Sequence, residues 1–111
     1  MAKFEALELS LQLVRALREL APRIAHHDRE LAEQVRSAAN SASSNLSEGA
    51  QRMGKDRLQH YRISGGSAAE VRTQIELAVA WGYLEPQQAR EAHALADRCV
   101  AITWRLTHPR R

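Results

Sequence analysis

Cys99 is the only cysteine in this chain of 111 residues. One thiol can form neither an intrachain disulfide framework nor a paired metal-thiolate site; set among apolar positions, it reads as a buried, inert side chain of a protein kept in a reducing compartment. Aromatic residues are scarce, at 5% of the chain, and the Val, Ile, Thr and aromatic clusters that strands require are missing. The start, Met1-Ala2-Lys3-Phe4-Glu5, lacks the apolar core of a signal peptide, and no later run approaches bilayer-spanning length. A cytoplasmic protein with no membrane partner is therefore expected. Proline is absent between Pro22 and Pro86, so nothing of that kind interrupts the middle of the chain.

What the chain does have is Ala, Leu, Arg, Glu and Gln in quantity, with 44% hydrophobic residues. Such a composition suits helices. The length fits one domain with a single modest core. A formal net charge of +3 permits contact with nucleic acid or an anionic surface without demanding it.

The central stretch is Ser37-Ala38-Ala39-Asn40-Ser41-Ala42-Ser43-Ser44-Asn45-Leu46-Ser47-Glu48-Gly49. It is nearly free of bulk and could be a serine-rich linker. Against that, Leu31, Val35, Ala38, Ala42, Leu46, Gly49 and Met53 recur at spacings of three and four, the signature of one helical face. A helix so lightly loaded admits close neighbours. The second small-residue stretch, Ser64-Gly65-Gly66-Ser67-Ala68-Ala69-Glu70, is the candidate to meet it.

Taken in order, the pattern predicts four helices, at about 4–21, 29–53, 56–82 and 86–107. In the first, Phe4, Leu7, Leu11, Val14, Leu17 and Ala21 form a heptad-like stripe, with Leu9, Leu13 and Leu20 as a second seam. One stripe fills a bundle core and the other asks for a further partner, such as a neighbouring subunit. Pro22 stops or kinks this helix, His26-His27-Asp28 makes a polar turn, and Asp28 suits an N-cap. The histidine pair has no further ligand at helical spacing, so no metal site is assigned to it. Gly54 is the expected left-handed stop after the second helix. In the third, Tyr61, Ser64, Ala68, Val71, Ile75, Ala78 and Gly82 share a face. Gly65-Gly66 marks either a break, with Ser67 and Glu70 as a capping box, or a close backbone approach to the second helix. The approach is preferred. Pro86 suits a first helical position, and Ala89, Ala92, Leu95, Cys99, Ile102 and Leu106 carry the fourth helix. Arg110-Arg111 is read as a disordered basic tail. Short turns between amphipathic helices predict an all-α, antiparallel up-and-down four-helix bundle.

No chemistry of an enzyme is legible: the serines have no accompanying His and Asp, no glycine-rich phosphate loop is present, and no glutamate has a histidine three residues on, as di-metal bundles need. An Arg-x4-6-His ribonuclease motif is absent. No catalytic residue, metal or cofactor is assigned. Glu48 and Glu70 look buried, and together with Asn45 and Arg52 they read as a structural polar cluster fixing how the second and third helices meet. Arg52, Lys55, Arg57 and Arg62 bunch around the turn between those helices, opposed locally only by Asp56. Repeated around an oligomer they would hold phosphates; otherwise they are a solvated helix end. His60 and Tyr61 beside them could stack on bases, though Tyr61 fits the core better.

Residues 31–84 resemble a known family, the four-helix-bundle proteins of intervening sequences in bacterial 23S ribosomal RNA genes. The resemblance rests on Gln34-Val35-Arg36-Ser37-Ala38-Ala39, Ser44-Asn45-Leu46-Ser47-Glu48-Gly49, Arg52, Gly66-Ser67-Ala68-Ala69-Glu70 and Trp81-Gly82-Tyr83-Leu84. Ser43 stands where the family usually has a proline, and Leu58-Gln59-His60-Tyr61 is less aromatic than the family's usual start to the third helix. The resemblance implies a barrel-like homopentamer of four-helix bundles. The family is also similar to the accessory variability determinant of diversity-generating retroelements, a basic pentamer that binds nucleic acid and a reverse transcriptase. The expectation is a non-enzymatic oligomer that binds structured RNA or DNA, as an accessory to an intervening or retroelement. The alternative is a structural or protein-interaction module with no nucleic-acid ligand.

Overall fold

Hydrophobic spacing and a few stop signals divide residues 4–109, which the computed structural model describes, into four helices: α1 (Glu5–His27), α2 (Arg29–Ala50), α3 (Gly54–Ala80) and α4 (Pro86–Thr107). The Arg110-Arg111 tail lies outside the described residues. Each helix packs on the next, and α1 closes on α4. The result is a square up-and-down bundle measuring 44 × 24 × 22 Å. Among the described residues there is no strand, and no helix is long and apolar enough to cross a membrane.

The junctions are short because single residues do the capping. Asp28 alone joins α1 to α2: its N–H donates to the Ile24 carbonyl at 2.7 Å, and its Oδ1 accepts from the Leu31 N–H at 3.0 Å, as an N-cap should. At the other hairpin of this end, Gly82 takes φ +80°. Its N–H reaches the Val79 carbonyl at 2.9 Å and that of Tyr83 the Ala78 carbonyl at 2.8 Å, a Schellman closure of α3. Leu84, 2% exposed, then plugs the turn into the core, and Pro86 opens α4.

The core is slim. Leu9, Leu13, Leu17, Leu20 and Ile24 of α1 face Ala38 and Ala39 of α2, Ala68 and Ala78 of α3, and Ala89, Ala92 and Ala96 of α4. A smaller cluster of Ala6, Leu46 and Tyr61, with Phe4 packed against it, closes the opposite end. Alanine faces let backbones approach, so that side-chain hydroxyls reach across. The Ser64 Oγ donates to the Ala42 carbonyl at 2.7 Å, the Ser67 Oγ to Ser41 Oγ at 2.8 Å, and the Ser43 Oγ to Ser10 Oγ at 2.9 Å. The stretch 37–49 is thus helix, not linker, and Ser43 ties α2 to α1.

Several expectations are corrected. Pro22 does not stop α1, which runs on through it to His27. Pro22 is exposed while Ala21 and Ile24 are buried, so the lost hydrogen bond falls on the solvent side and burial of the last turn outweighs it. His26 and His27 therefore sit on that last turn, not in a loop. The core face of α1 draws on both stripes: Leu9, Leu13 and Leu20 line it together with Leu17 and Ala21, while Leu7 and Val14 are half-buried and Leu11 is 37% exposed. On α4 the buried line passes through Ala96 and Thr103, with Leu95, Ile102 and Leu106 at its edges. α2 ends at Ala50, and Gly54, left-handed as expected with φ +57°, opens α3 instead of closing α2. Finally, α3 is unbroken at Gly65-Gly66, but the close approach there is to α4. A Cβ on Gly65 would stand 2.8 Å from Thr103 Oγ1, and one on Gly66 would meet nothing. The tight place between α2 and α3 is Gly49, whose absent Cβ makes room for the Tyr61 ring.

Candidate functional site

Of the basic residues singled out in the sequence, Arg52, Lys55 and Arg57 gather at the turn between α2 and α3, with Glu48 and Asp56 beside them, and Arg62 lies two helical turns into α3. Arg52, in the connection itself, lies four residues from both Glu48 and Asp56. Its Nε donates to Glu48 Oε2 at 3.0 Å and its Nη1 to Asp56 Oδ2 at 2.9 Å, while Nη2 stands 2.9 Å from the same Glu48 oxygen. The hydrogen bond to Glu48 first, and that to Asp56 second, hold the guanidinium pKa above its ordinary value. Arg52 is therefore a strut that ties the end of α2 to the start of α3.

Arg57 is also engaged. α2 has no basic residue in its last turn, and Arg57 reaches back from α3 to supply one: its Nε donates to the Gly49 carbonyl at 3.2 Å and its Nη2 to the Ala50 carbonyl at 3.2 Å. A cation on those terminal carbonyls complements the helix dipole. Lys55 and Arg62 are exposed, and no ion pair involves them among the described residues. Met53, the residue before α3, is 83% exposed.

Of the polar cluster expected from Asn45, Glu48, Arg52 and Glu70, the first three lie near this turn and Glu70 does not. Glu48 and Glu70 are both exposed, in contrast to their buried look in the sequence. Glu70 lies nine residues along α3 from Tyr61, which meets Gly49; at 1.5 Å per residue that is roughly 13 Å away. The partner that the sequence reading missed is His60. Asn45 Nδ2 donates to the Ser41 carbonyl at 2.9 Å and lies 3.2 Å from Ser41 Oγ, which turns Asn45 Oδ1 toward His60 Nδ1 at 2.9 Å. Nδ1 must then carry the proton. His60 Nε2 faces Asp56 Oδ1 at 4.0 Å. With Ser67 on Ser41, a polar seam runs from the turn up the groove between α2 and α3. An i, i+15 pair leaves no periodic signal, which is why the sequence did not reveal it. Tyr61 is buried, its ring 5.9 Å from that of Phe4, so it belongs to the core.

Elsewhere the side chains offer little reaction chemistry. Burial pushes the Cys99 thiol up to about 11, which keeps it protonated and unreactive near neutral pH. Among the described residues no three His, Cys, Asp or Glu side chains converge as a metal site would need. His93 Nε2 pairs with Glu76 Oε2 and Arg72 Nη1 with Asp97 Oδ1, each at 2.7 Å on the outer face of α3 and α4.

Known proteins share this architecture. The family described as 23S rRNA-intervening sequence protein matches residues 2–105. A crystal structure of a protein of unknown function from the S23 ribosomal protein family of Bacteroides thetaiotaomicron superposes with a TM-score of 0.81 at 18% identity, over 92% of this chain and 97% of that one. At that identity the likeness is one of fold. No curated protein matches the chain.

Proposed function

Because the chain belongs to the family of 23S rRNA-intervening sequence proteins, we propose that it is a non-enzymatic, oligomeric four-helix bundle that binds structured RNA or DNA as an accessory to an intervening element or a retroelement. The observation that carries this reading is the division of labour at the α2–α3 turn. Arg52 and Arg57 are fixed by hydrogen bonds within the fold, and they form a rigid base from which Lys55 and Arg62 extend into solvent without a carboxylate partner among the described residues. Cations free of acidic partners are the groups that can displace counterions from a phosphate backbone. Assembly of identical copies, five by resemblance, would multiply this turn into a ring. Leu11, 37% exposed on α1 between half-buried Leu7 and Val14, supports such an assembly.

The test is fluorescence anisotropy with a structured RNA and a matched DNA duplex across a salt series. Log affinity should fall linearly with log salt, and replacing Lys55 and Arg62 together by Gln should lower the slope by roughly two on duplex DNA. Absence of binding even at low salt would remove the reading. The alternative, a protein-interaction module whose partner is a reverse transcriptase or another protein, then takes its place. One observation favours it: Ile63 and Leu77, two exposed apolar side chains of α3, are 40% and 43% exposed on the same helical face.

A further inference from the structure

The end of the bundle opposite the basic turn carries flat rings in an ordered array. His27, on the last turn of α1, lies against Tyr83 with centroids 5.2 Å apart and planes 6° from parallel. Tyr83 in turn lies near Trp81, at 6.4 Å and 14°, and His26 meets His27 edge-on at 5.1 Å. Trp81 is 70% exposed. Beside the array is an open cavity of about 370 Å³ lined by Pro22, Arg23, His26, His27 and Tyr83. It has one permanent cation and no carboxylate in its lining. The nearest carboxylate in sequence, that of Asp28, is directed at the Leu31 N–H as the helix cap.

The backbone that carries Trp81 and Tyr83 is closed by hydrogen bonds. The Schellman closure at Gly82 fixes the backbone on both sides, and buried Leu84 anchors the chain beyond it. A platform whose backbone is already fixed loses less freedom when a flat ring joins it.

We propose that this end is a stacking site for an unpaired base of a single-stranded nucleic acid, with exposed Trp81 taking the base, His27 and Tyr83 backing it, and Arg23 taking a phosphate of the same strand. The proposal rests on the nucleic-acid reading above and adds a second contact to it. A protein partner fits less well: the array is a few rings wide, whereas a stable protein interface covers about 800 Å² on each side. Ring faces beside a free arginine are the combination that single-strand-binding proteins use without regard to sequence.

The chain has two tryptophans, so Trp104→Phe leaves Trp81 as the only one. That variant is titrated with end-labelled oligoadenylate and with an abasic sugar-phosphate strand of equal length, reading tryptophan emission and label anisotropy together. Oligoadenylate should quench Trp81 and the abasic strand should not. In the wild-type background, Trp81→Ala should weaken oligoadenylate binding roughly 5- to 150-fold and leave abasic binding unchanged, with Trp81→Phe recovering most of the loss. Arg23→Gln should weaken both strands alike. If oligoadenylate binds without quenching and Trp81→Ala binds as well as its parent, the stacking site is refuted and the nucleic-acid reading stands. If neither strand nor the structured RNA and duplex binds at low salt, both fall.

Discussion

Two adjacent glycines in α3 have opposite roles, and substitution separates them. Gly65 abuts Thr103, whose Oγ1 is held by the Cys99 carbonyl at 2.8 Å and the Val100 carbonyl at 3.0 Å, so the hydroxyl cannot swing away freely. Gly65→Ala should cost about 1–3 kcal/mol through overpacking. Gly66 is exposed and open, so Gly66→Ala should stabilise by about 1 kcal/mol through helix propensity alone. Urea denaturation of the two variants checks both signs. Equal effects would show that α3 and α4 do not touch at Gly65. At this scale the sequence was informative wherever a residue's own chemistry decides its place: Asp28 as a cap, Gly54 as left-handed, Cys99 as buried. It misled where a neighbour from another helix decides. Gly65 waits on Thr103, Asn45 waits on His60, and Glu70 looked buried only because small residues surround it in sequence.

At the scale of helices, α1 shows packing overriding a local stop signal. An interior proline costs a helix about 3 kcal/mol, yet Ile24, fully buried, lies beyond Pro22 and is reached only if the helix continues. Pro22→Ala should restore the missing N–H without disturbing the core. We expect stability to rise by about 1–3 kcal/mol, seen as a higher urea midpoint at unchanged slope; no gain would mean that the helix is already relaxed around the ring. The four helices themselves were legible from three-and-four spacing. Which residues of the two stripes on α1 face inward was not, because both stripes satisfy the same period and only the positions of α2 and α4 choose between their members. The seam of hydroxyls between α2 and α3 was hidden for a related reason: serine in a helix reads as weak propensity until a backbone comes within reach of it.

For the whole molecule, exposed Leu11 between half-buried Leu7 and Val14 on α1 is the feature that a lone bundle does not explain. If it mediates assembly, Leu11→Glu should reduce the mass measured by analytical ultracentrifugation to that of one chain, while the melting temperature of the dissociated bundle stays within a few degrees, since that side chain is 37% exposed and outside the buried core. A wild-type mass of one chain would end the oligomer reading outright. The long axis of 44 Å carries a further consequence. Lys55 stands near one pole and Trp81 at the other, 26 residues along α3 and roughly 39 Å at 1.5 Å per residue, a separation matching about 11 base pairs of B-form duplex. A single bundle could then act as a measuring rod: a nucleic acid with a duplex stem of about that length and an unpaired tip could engage both poles at once, and a shorter stem would have to choose one.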